Sequence, residues 1–209
     1  MTKTLSFCAI LSAMALAACA GPEIQTKPPT ADLAPTEVRV AQAGDSWVAM
    51  NKISGKQESG SVVQVSNGVA VYQGSDGCTY ARNAANPFAP SVQWKDCGGY
   101  TGTMEIVSSE GSILPLQVGA AQTWVGKGTN DSGDTWDDTR TCTVVGVENV
   151  TVPAGTFDAF KVDCQASFRD RTYYYAPEIG RNVVTLSTHK SRHEPWHFET
   201  VSFTPAGTS

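Results

Sequence analysis

Residues 150–168, V-T-V-P-A-G-T-F-D-A-F-K-V-D-C-Q-A-S-F, contain the clearest fold signal in the chain. From Phe160 to Phe168 every even position is apolar, and every odd position, beginning with Lys161, is polar. Side chains alternate between the two faces of a β-strand, so this pattern predicts a strand with one buried and one solvated face. We expect the strand to cover Phe157–Phe168.

A tight turn precedes this strand at Pro153-Ala154-Gly155. Proline suits the first central position of a type I turn, and glycine accepts the positive φ that follows such a turn. The residues therefore predict a hairpin with a three-residue loop. In that register Val152 pairs with Thr156.

The remaining chain from residue 38 onward carries the same kind of signal. Short runs rich in Val, Thr and aromatic residues are separated by Gly, Asn, Asp and Pro, and no window shows helical periodicity. The predicted fold is all-β, an antiparallel and strongly curved sheet arranged as a sandwich or half-barrel, with little or no helix. We expect a single β domain over residues 38–205 and a short tail at 206–209.

The first 18 residues have the composition of an export signal. Lys3 precedes an apolar run, Leu5–Leu16, that is too short to span a bilayer. The next residues, Leu16-Ala17-Ala18-Cys19, resemble a bacterial lipobox. The resemblance implies cleavage before Cys19 and attachment of acyl chains such as palmitate to this residue. An ordinary signal peptide cut near Ala18 or Ala20 is the alternative.

The predicted anchor also suggests where the protein resides. Residues 19–37 are proline-rich, so we expect a tether that holds the domain away from the bilayer. In the lipoproteins that this leader resembles, Asp after the lipidated cysteine retains the protein at the inner membrane. Here that position is Ala20, which favours the outer membrane and its periplasmic side.

Four cysteines remain when Cys8 leaves with the leader and Cys19 is lipidated. An even number in an oxidising compartment predicts two disulfides. Of the three connectivities we favour Cys78–Cys97 and Cys142–Cys164, because each closes a short loop. The hairpin register places Cys142 opposite Ala166, so the second disulfide requires a bulge, expected at Gly146. A zinc site made of all four cysteines is disfavoured by their long separations.

Composition limits the classes of partner. The chain has 15 Lys and Arg against 20 Asp and Glu, a formal net charge of −5, and loss of the leader removes only Lys3. A mildly acidic chain without a run of basic residues is a poor partner for nucleic acid. We expect no nucleic-acid partner and no cofactor. The expected partners are a membrane, through the lipid anchor, and an unidentified protein or apolar ligand.

Several stretches resemble a domain found in bacterial envelope lipoproteins of uncharacterised function. They are Leu114–Gly119 with Trp124, Val150–Phe157, Phe160–Val162 and Tyr174–Gly180, the last containing Y-Y-A-P-E-I-G. The resemblance covers about residues 113–190 and leaves 38–112 unrecognised. It implies a curved antiparallel sheet and no catalytic residue.

One motif suggests a different function. His193-Glu194-Pro195-Trp196-His197 matches H-E-x-x-H, which in zinc proteases places two histidines on one face of a helix. Pro195 and the strand-like flanks argue against a helix here. We therefore expect no metal and no catalytic residue. A zinc-dependent envelope hydrolase using His189, His193 and His197 is the alternative to a non-enzymatic binding or structural role.

Aromatic residues are the other candidates for binding. Five tryptophans and the run Tyr173-Tyr174-Tyr175 could line a ligand site or fill a core. In a strand Tyr174 must face away from its two neighbours, so we expect either an exposed tyrosine or a cavity lined by tyrosine.

Overall fold

A computed structural model describes residues 24–208 of the chain. Within this range the chain forms β-strands and no helix, so the all-β prediction is confirmed, and no segment qualifies as a membrane-spanning helix. The predicted leader and Cys19 lie outside the described residues. The strands are β1 Thr26–Lys27, β2 Ser46–Asn51, β3 Gln57–Ser66, β4 Val69–Gly74, β5 Thr79–Asn83, β6 Gln93–Cys97, β7 Tyr100–Ser112, β8 Ala121–Asn130, β9 Thr135–Val152, β10 Gly155–Ala166, β11 Arg169–Ala176, β12 Arg181–His189 and β13 Pro195–Thr204.

Strands β2 to β13 form one closed antiparallel barrel. Each strand pairs with the next one along the chain, and β13 pairs back with β2, where Phe203 lies opposite Trp47. The curvature predicted from the sequence thus continues until the sheet has no free edge. The unrecognised residues 38–112 contribute half of this barrel, from β2 to β7.

The β9–β10 hairpin differs from its predicted register by one residue. Gly155 already pairs with Val152, so the loop contains only Pro153 and Ala154, and the expected pairing of Val152 with Thr156 is wrong. The φ angle of Gly155 is 142°. This conformation is one that glycine adopts readily and other residues avoid, which explains why glycine follows this turn.

A bulge in the same hairpin aligns the cysteines. Lys161 pairs with Gly146 and Val162 with Val144, so one residue of β9 is left without a partner next to the predicted position. Beyond the bulge Cys142 lies directly opposite Cys164. Their Cα atoms are 4.0 Å apart and the side chains form a disulfide.

The second disulfide joins Cys78 to Cys97, with a Cα separation of 4.5 Å. It ties the start of β5 to the end of β6 and closes a loop of 19 residues. The structure therefore contains both pairings favoured by the sequence, each between neighbouring parts of the chain. Short closed loops of this kind restrict the unfolded chain and so stabilise the folded one.

Near the hairpin tip strand β10 is buried on both faces, whereas the sequence predicted one solvated face; further along, the predicted polar face is half-buried at Lys161 and exposed at Gln165. Phe160, Val162 and Cys164 belong to a hydrophobic cluster inside the barrel. Phe157 and Ala159, on the opposite face, belong to a second cluster. The hairpin tip curls over β13, where the backbone N–H of residue 154 donates a hydrogen bond of 3.0 Å to the carbonyl of residue 200. This curl shields the outer face near the tip.

Part of the predicted tether lies against the barrel. Strand β1 pairs with the end of β9, and the residue Thr36 forms a bridge with Leu116. Leu33 packs against the inner cluster, and Thr30 donates hydrogen bonds to the carboxylate of Asp158. Contact with the domain therefore begins well before residue 38, the predicted domain start.

Candidate ligand site inside the barrel

A connecting loop fills one part of the barrel interior. Phe88, in the segment between β5 and β6, is fully buried. Its ring packs edge-on against Tyr173 and Tyr175, at centroid distances of 5.6 and 6.2 Å. The Asn86 side chain accepts a hydrogen bond of 3.1 Å from the backbone N–H of Phe88 and holds the loop in this position. Twelve strands enclose more space than wall side chains alone can fill, so an inserted loop is expected.

Another part of the interior, beside the hydrophobic cluster, is a cavity of about 810 Å³. Its wall comes mainly from β2 to β6 and from β11 to β13, and three aromatic rings follow one another along it. The ring centroids of Trp47 and Tyr72 are 6.1 Å apart, and Tyr72 stacks on Tyr80 at 5.0 Å. Tyr173 and Tyr175 also line the cavity, so of the two arrangements expected for the tyrosine run, an exposed tyrosine or a tyrosine-lined cavity, the structure has the second.

Five arginines line the same cavity: Arg39, Arg82, Arg140, Arg171 and Arg181. Of these five, only Arg39 has a carboxylate oxygen within 4.0 Å of its guanidinium group in the described part of the chain. The Arg82 guanidinium carbon lies 4.7 Å from the ring centroid of Tyr80, and that of Arg181 lies 4.3 Å from the centroid of Trp47. Such cation–π contacts compensate part of the cost of removing guanidinium groups from water.

Burial makes these positive charges costly. Desolvation lowers the pKa of Arg140 to about 10, and the neighbouring Arg171 adds to the decrease. Desolvation likewise lowers the pKa of Arg181 to about 10, with Arg82 as its like-charged neighbour. Both groups remain protonated at neutral pH, and arginine side chains only donate hydrogen bonds. The cavity therefore contains several positive charges close to one another.

The hydrogen-bonding capacity of these arginines is only partly used. Arg82 donates to the carbonyl of Pro87 at 2.9 Å, and Arg140 donates to the carbonyl of Phe88 at 3.4 Å. Within residues 24–208, no acceptor contacts the buried Nε atoms of Arg82, Arg140 and Arg181. Buried donors without acceptors are uncommon in proteins and call for an explanation.

Arg39 has a different role, because its partner Asp45 connects the segment before β2 to the segment after β13. Its guanidinium donates two hydrogen bonds to Asp45, one of them 2.8 Å long. Asp45 also accepts from the backbone N–H groups of Gln42 and Ala206. Burial would raise the pKa of Asp45, but these hydrogen bonds outweigh it and hold the pKa below its usual value. We therefore assign this pair to the fold and not to ligand binding.

The histidines considered as zinc ligands are not brought together. His197, in β13, pairs with Leu186 of β12, whereas His189 is three residues further along β12 and so faces the opposite side of the sheet. His193 occupies the turn between these strands with a positive φ of 53°. The H-E-x-x-H motif thus spans a turn and a strand, where its spacing does not place two histidines on one face of a helix.

The nearest ionisable partner of His197 is a carboxylate, that of Glu199. Its Nε2 lies 3.0 Å from a carboxylate oxygen of Glu199, outside hydrogen-bond alignment, and both side chains are buried. Across residues 24–208 no group of three or more His, Cys, Asp and Glu side chains is placed to hold a metal ion.

Sequence reasoning missed the arginines, although a signal was present. Arg140 lies two residues before Cys142 and Arg171 two residues before Tyr173, so each shares a face with a residue that points inward. The sequence contains no run of basic residues that would mark a positively charged site. The barrel instead collects single arginines from separate segments.

No protein-family model matches the chain, and no curated protein matches it. The resemblance to envelope lipoproteins therefore stays a prediction. Among solved structures, the chain is similar to the hypothetical lipoprotein YmcC from Escherichia coli K12. The two share 8% sequence identity, with a TM-score of 0.47, over 84% of this chain and 90% of that one.

Proposed function

We propose that this protein is a lipid-anchored bacterial envelope protein whose barrel binds a small organic ligand in its interior. The observation that carries the proposal is the cavity of about 810 Å³, walled by aromatic rings and by arginines, four of which have no carboxylate partner in the described part of the chain. Ligand sites in proteins are commonly clefts or cavities of roughly 300–1,000 Å³ with a mainly apolar lining and a few polar groups. Barrels too wide for their side chains to fill also enclose ligand cavities.

A binding role is favoured over catalysis by the chemistry of the lining. The carboxylates of the lining are Asp45, Glu58 and Asp76. Asp45 is held by Arg39, whereas Glu58 and Asp76 are exposed to solvent. General acid–base catalysis needs a titratable group within hydrogen-bond reach of the reacting atoms. Aromatic surfaces and guanidinium groups are better suited to holding a molecule than to transferring its protons.

A retained ligand is the first expected result. The full chain, purified from the envelope of an expressing bacterium in lipid nanodiscs, should release a molecule of a few hundred daltons on denaturation. Thr185→Trp, which fills space inside the cavity, should remove this molecule. Thr188→Trp is the matched control, since Thr188 is exposed on the opposite face of the same strand.

Mass spectrometry of the released fraction measures this outcome. If the wild-type chain releases nothing, and gains nothing after incubation with an extract of the same envelope, the proposal of a ligand in the barrel is wrong. Equal retention by the two tryptophan variants would place the bound molecule outside the cavity.

The anchor is tested separately. Cys19→Ser is expected to block processing of the leader or to release the protein from membranes, because the acyl chains can then no longer be attached. Each buried methylene of an acyl chain contributes about 0.8 kcal/mol, so two or more chains make a stable anchor. Membrane pelleting and labelling with palmitate measure the effect. Unchanged pelleting and mobility of the variant would contradict lipidation at Cys19.

A further inference from the structure

The charges that face the cavity contrast with the charge of the whole chain. The protein has a formal net charge of −5, yet the cavity wall contains five arginines against three acids. The pair of Arg39 and Asp45 cancels internally. Four arginines, Arg82, Arg140, Arg171 and Arg181, remain against Glu58 and Asp76, which are both exposed.

Arg82 is central to this arrangement. In addition to desolvation by burial, its positive charge lowers the pKa of both Arg140, in β9, and Arg181, in β12. Its guanidinium lies over the rings of both Tyr72 and Tyr80, which restricts it to one region of the wall. Like charges held this close repel one another, and each loses hydration on burial. A negatively charged group placed between them would reduce both costs.

Apolar surface continues from the arginines along the wall. Val62, Met104, Phe198 and Phe203 line the cavity together with Trp47 and Tyr72. The Arg181 guanidinium lies over the rings of Trp47 and Phe203, at 4.3 and 5.7 Å from their centroids. A molecule that extends from the arginines therefore meets apolar surface next.

We infer that the ligand is an amphipathic anion, with a carboxylate or phosphate group bound among Arg82, Arg140, Arg171 and Arg181 and an apolar ring or acyl body against the aromatic wall. This inference rests on the proposed function, since it specifies the chemistry of the molecule in the same cavity. Guanidinium groups donate to carboxylate and phosphate oxygens in paired, charge-assisted hydrogen bonds. Arg171 and Arg181 line the cavity and donate no side-chain hydrogen bond to any group within residues 24–208, so their guanidinium groups are the donors left for such an anion.

A series of probes differing in charge tests the inference. The full chain in lipid nanodiscs is titrated with 2-naphthoate, with dodecanoate and with the neutral 2-naphthalenemethanol, and empty nanodiscs provide the blank in calorimetry. We expect one or both anions to bind, with 2-naphthoate at least roughly tenfold tighter than its neutral analogue, the ratio that about 1.4 kcal/mol of charge-assisted bonding gives. The better anion identifies the body as a ring or as an acyl chain.

Arginine variants localise the charge effect. Arg82→Gln and Arg181→Gln should each weaken anion binding roughly tenfold or more and leave binding of the neutral analogue unchanged. Arg192→Gln, at an exposed position in the turn before β13, should leave both unchanged. If either variant fails to fold, Arg171→Gln takes its place, since Arg171 lines the same cavity and its side chain makes no hydrogen bond to any other residue of the range 24–208.

The outcomes separate the two proposals. Equal affinity for 2-naphthoate and its neutral analogue, or unchanged anion affinity in the arginine variants, overturns the inference and leaves ligand binding in the barrel standing. If no probe binds to the wild-type chain and no endogenous molecule is released from it, both proposals fall. If the released molecule is neutral, the inference also falls.

Discussion

Replacing Phe160 by Ala is expected to lower the free energy of unfolding by about 3–5 kcal/mol, the usual range for deleting a buried aromatic ring. Phe160 is fully buried in the inner cluster and lies opposite Tyr175 on β11 and Val147 on β9. Its removal takes away hydrophobic transfer energy and leaves a space that three paired strands cannot collapse into. The denaturant midpoint at constant m-value measures the loss.

Lys161→Ala is the control for this experiment. Lys161 is half-buried, with Nζ 2.9 Å from a carboxylate oxygen of Glu148 and 5.6 Å from the ring centroid of Tyr174. A partly exposed ion pair of this kind contributes about 1 kcal/mol or less. Losses of equal size at positions 160 and 161 would mean that Phe160 does not point into the core, and would contradict the face assignment of β10.

Asp45→Asn is expected to destabilise the protein by about 3 kcal/mol, the lower end of the range for breaking a buried ion pair. The Asp45 side chain is 4% exposed, whereas that of Arg39 is 26% exposed and can regain some hydration. The variant also weakens the hydrogen bonds that Asp45 accepts from the backbone at Gln42 and Ala206. These bonds join the start of the domain to its end.

The same residue predicts a pH dependence. The folded-state pKa of Asp45 is lowered, so its contribution to stability is complete above the unfolded pKa of about 3.9 and is lost as the pH falls through the folded value. Wild-type unfolding measured from pH 7 down to pH 2 should show this loss, and Asp45→Asn should lack that part of it. Asp137→Asn, at an exposed position in β9, is the matched control. Parallel acid profiles of wild type and Asp45→Asn would refute the assignment.

The order of neighbouring residues was enough to predict the β-strands, the inward-pointing side chains of β10 and the two disulfides. The alternation from Phe160 to Ala166 indicated which side chains point inward, and the structure buries Phe160, Val162, Cys164 and Ala166. The short spacing of the cysteines indicated the two disulfides. These features depend on residues close together in sequence, for which strand geometry alone sets the side-chain direction.

The register of the β9–β10 hairpin could not be predicted in the same way. Pro153 and Gly155 identified the turn, but the register was wrong by one residue, because two loop lengths fit the same turn residues. The second hydrophobic face of β10 was also missed. It is buried because the hairpin tip curls over β13, and this contact joins residues 154 and 200.

The alternation and spacing of neighbouring residues were enough to predict an all-β chain, the inward face of its clearest strand and the favoured pair of disulfides. The tertiary structure decided that the sheet closes, since β2 and β13 are nearly the whole domain apart in the chain. It also decided that Arg82, Arg140, Arg171 and Arg181 share one cavity. The four arginines lie in four different strands, and only barrel closure brings their charges within reach of a single ligand.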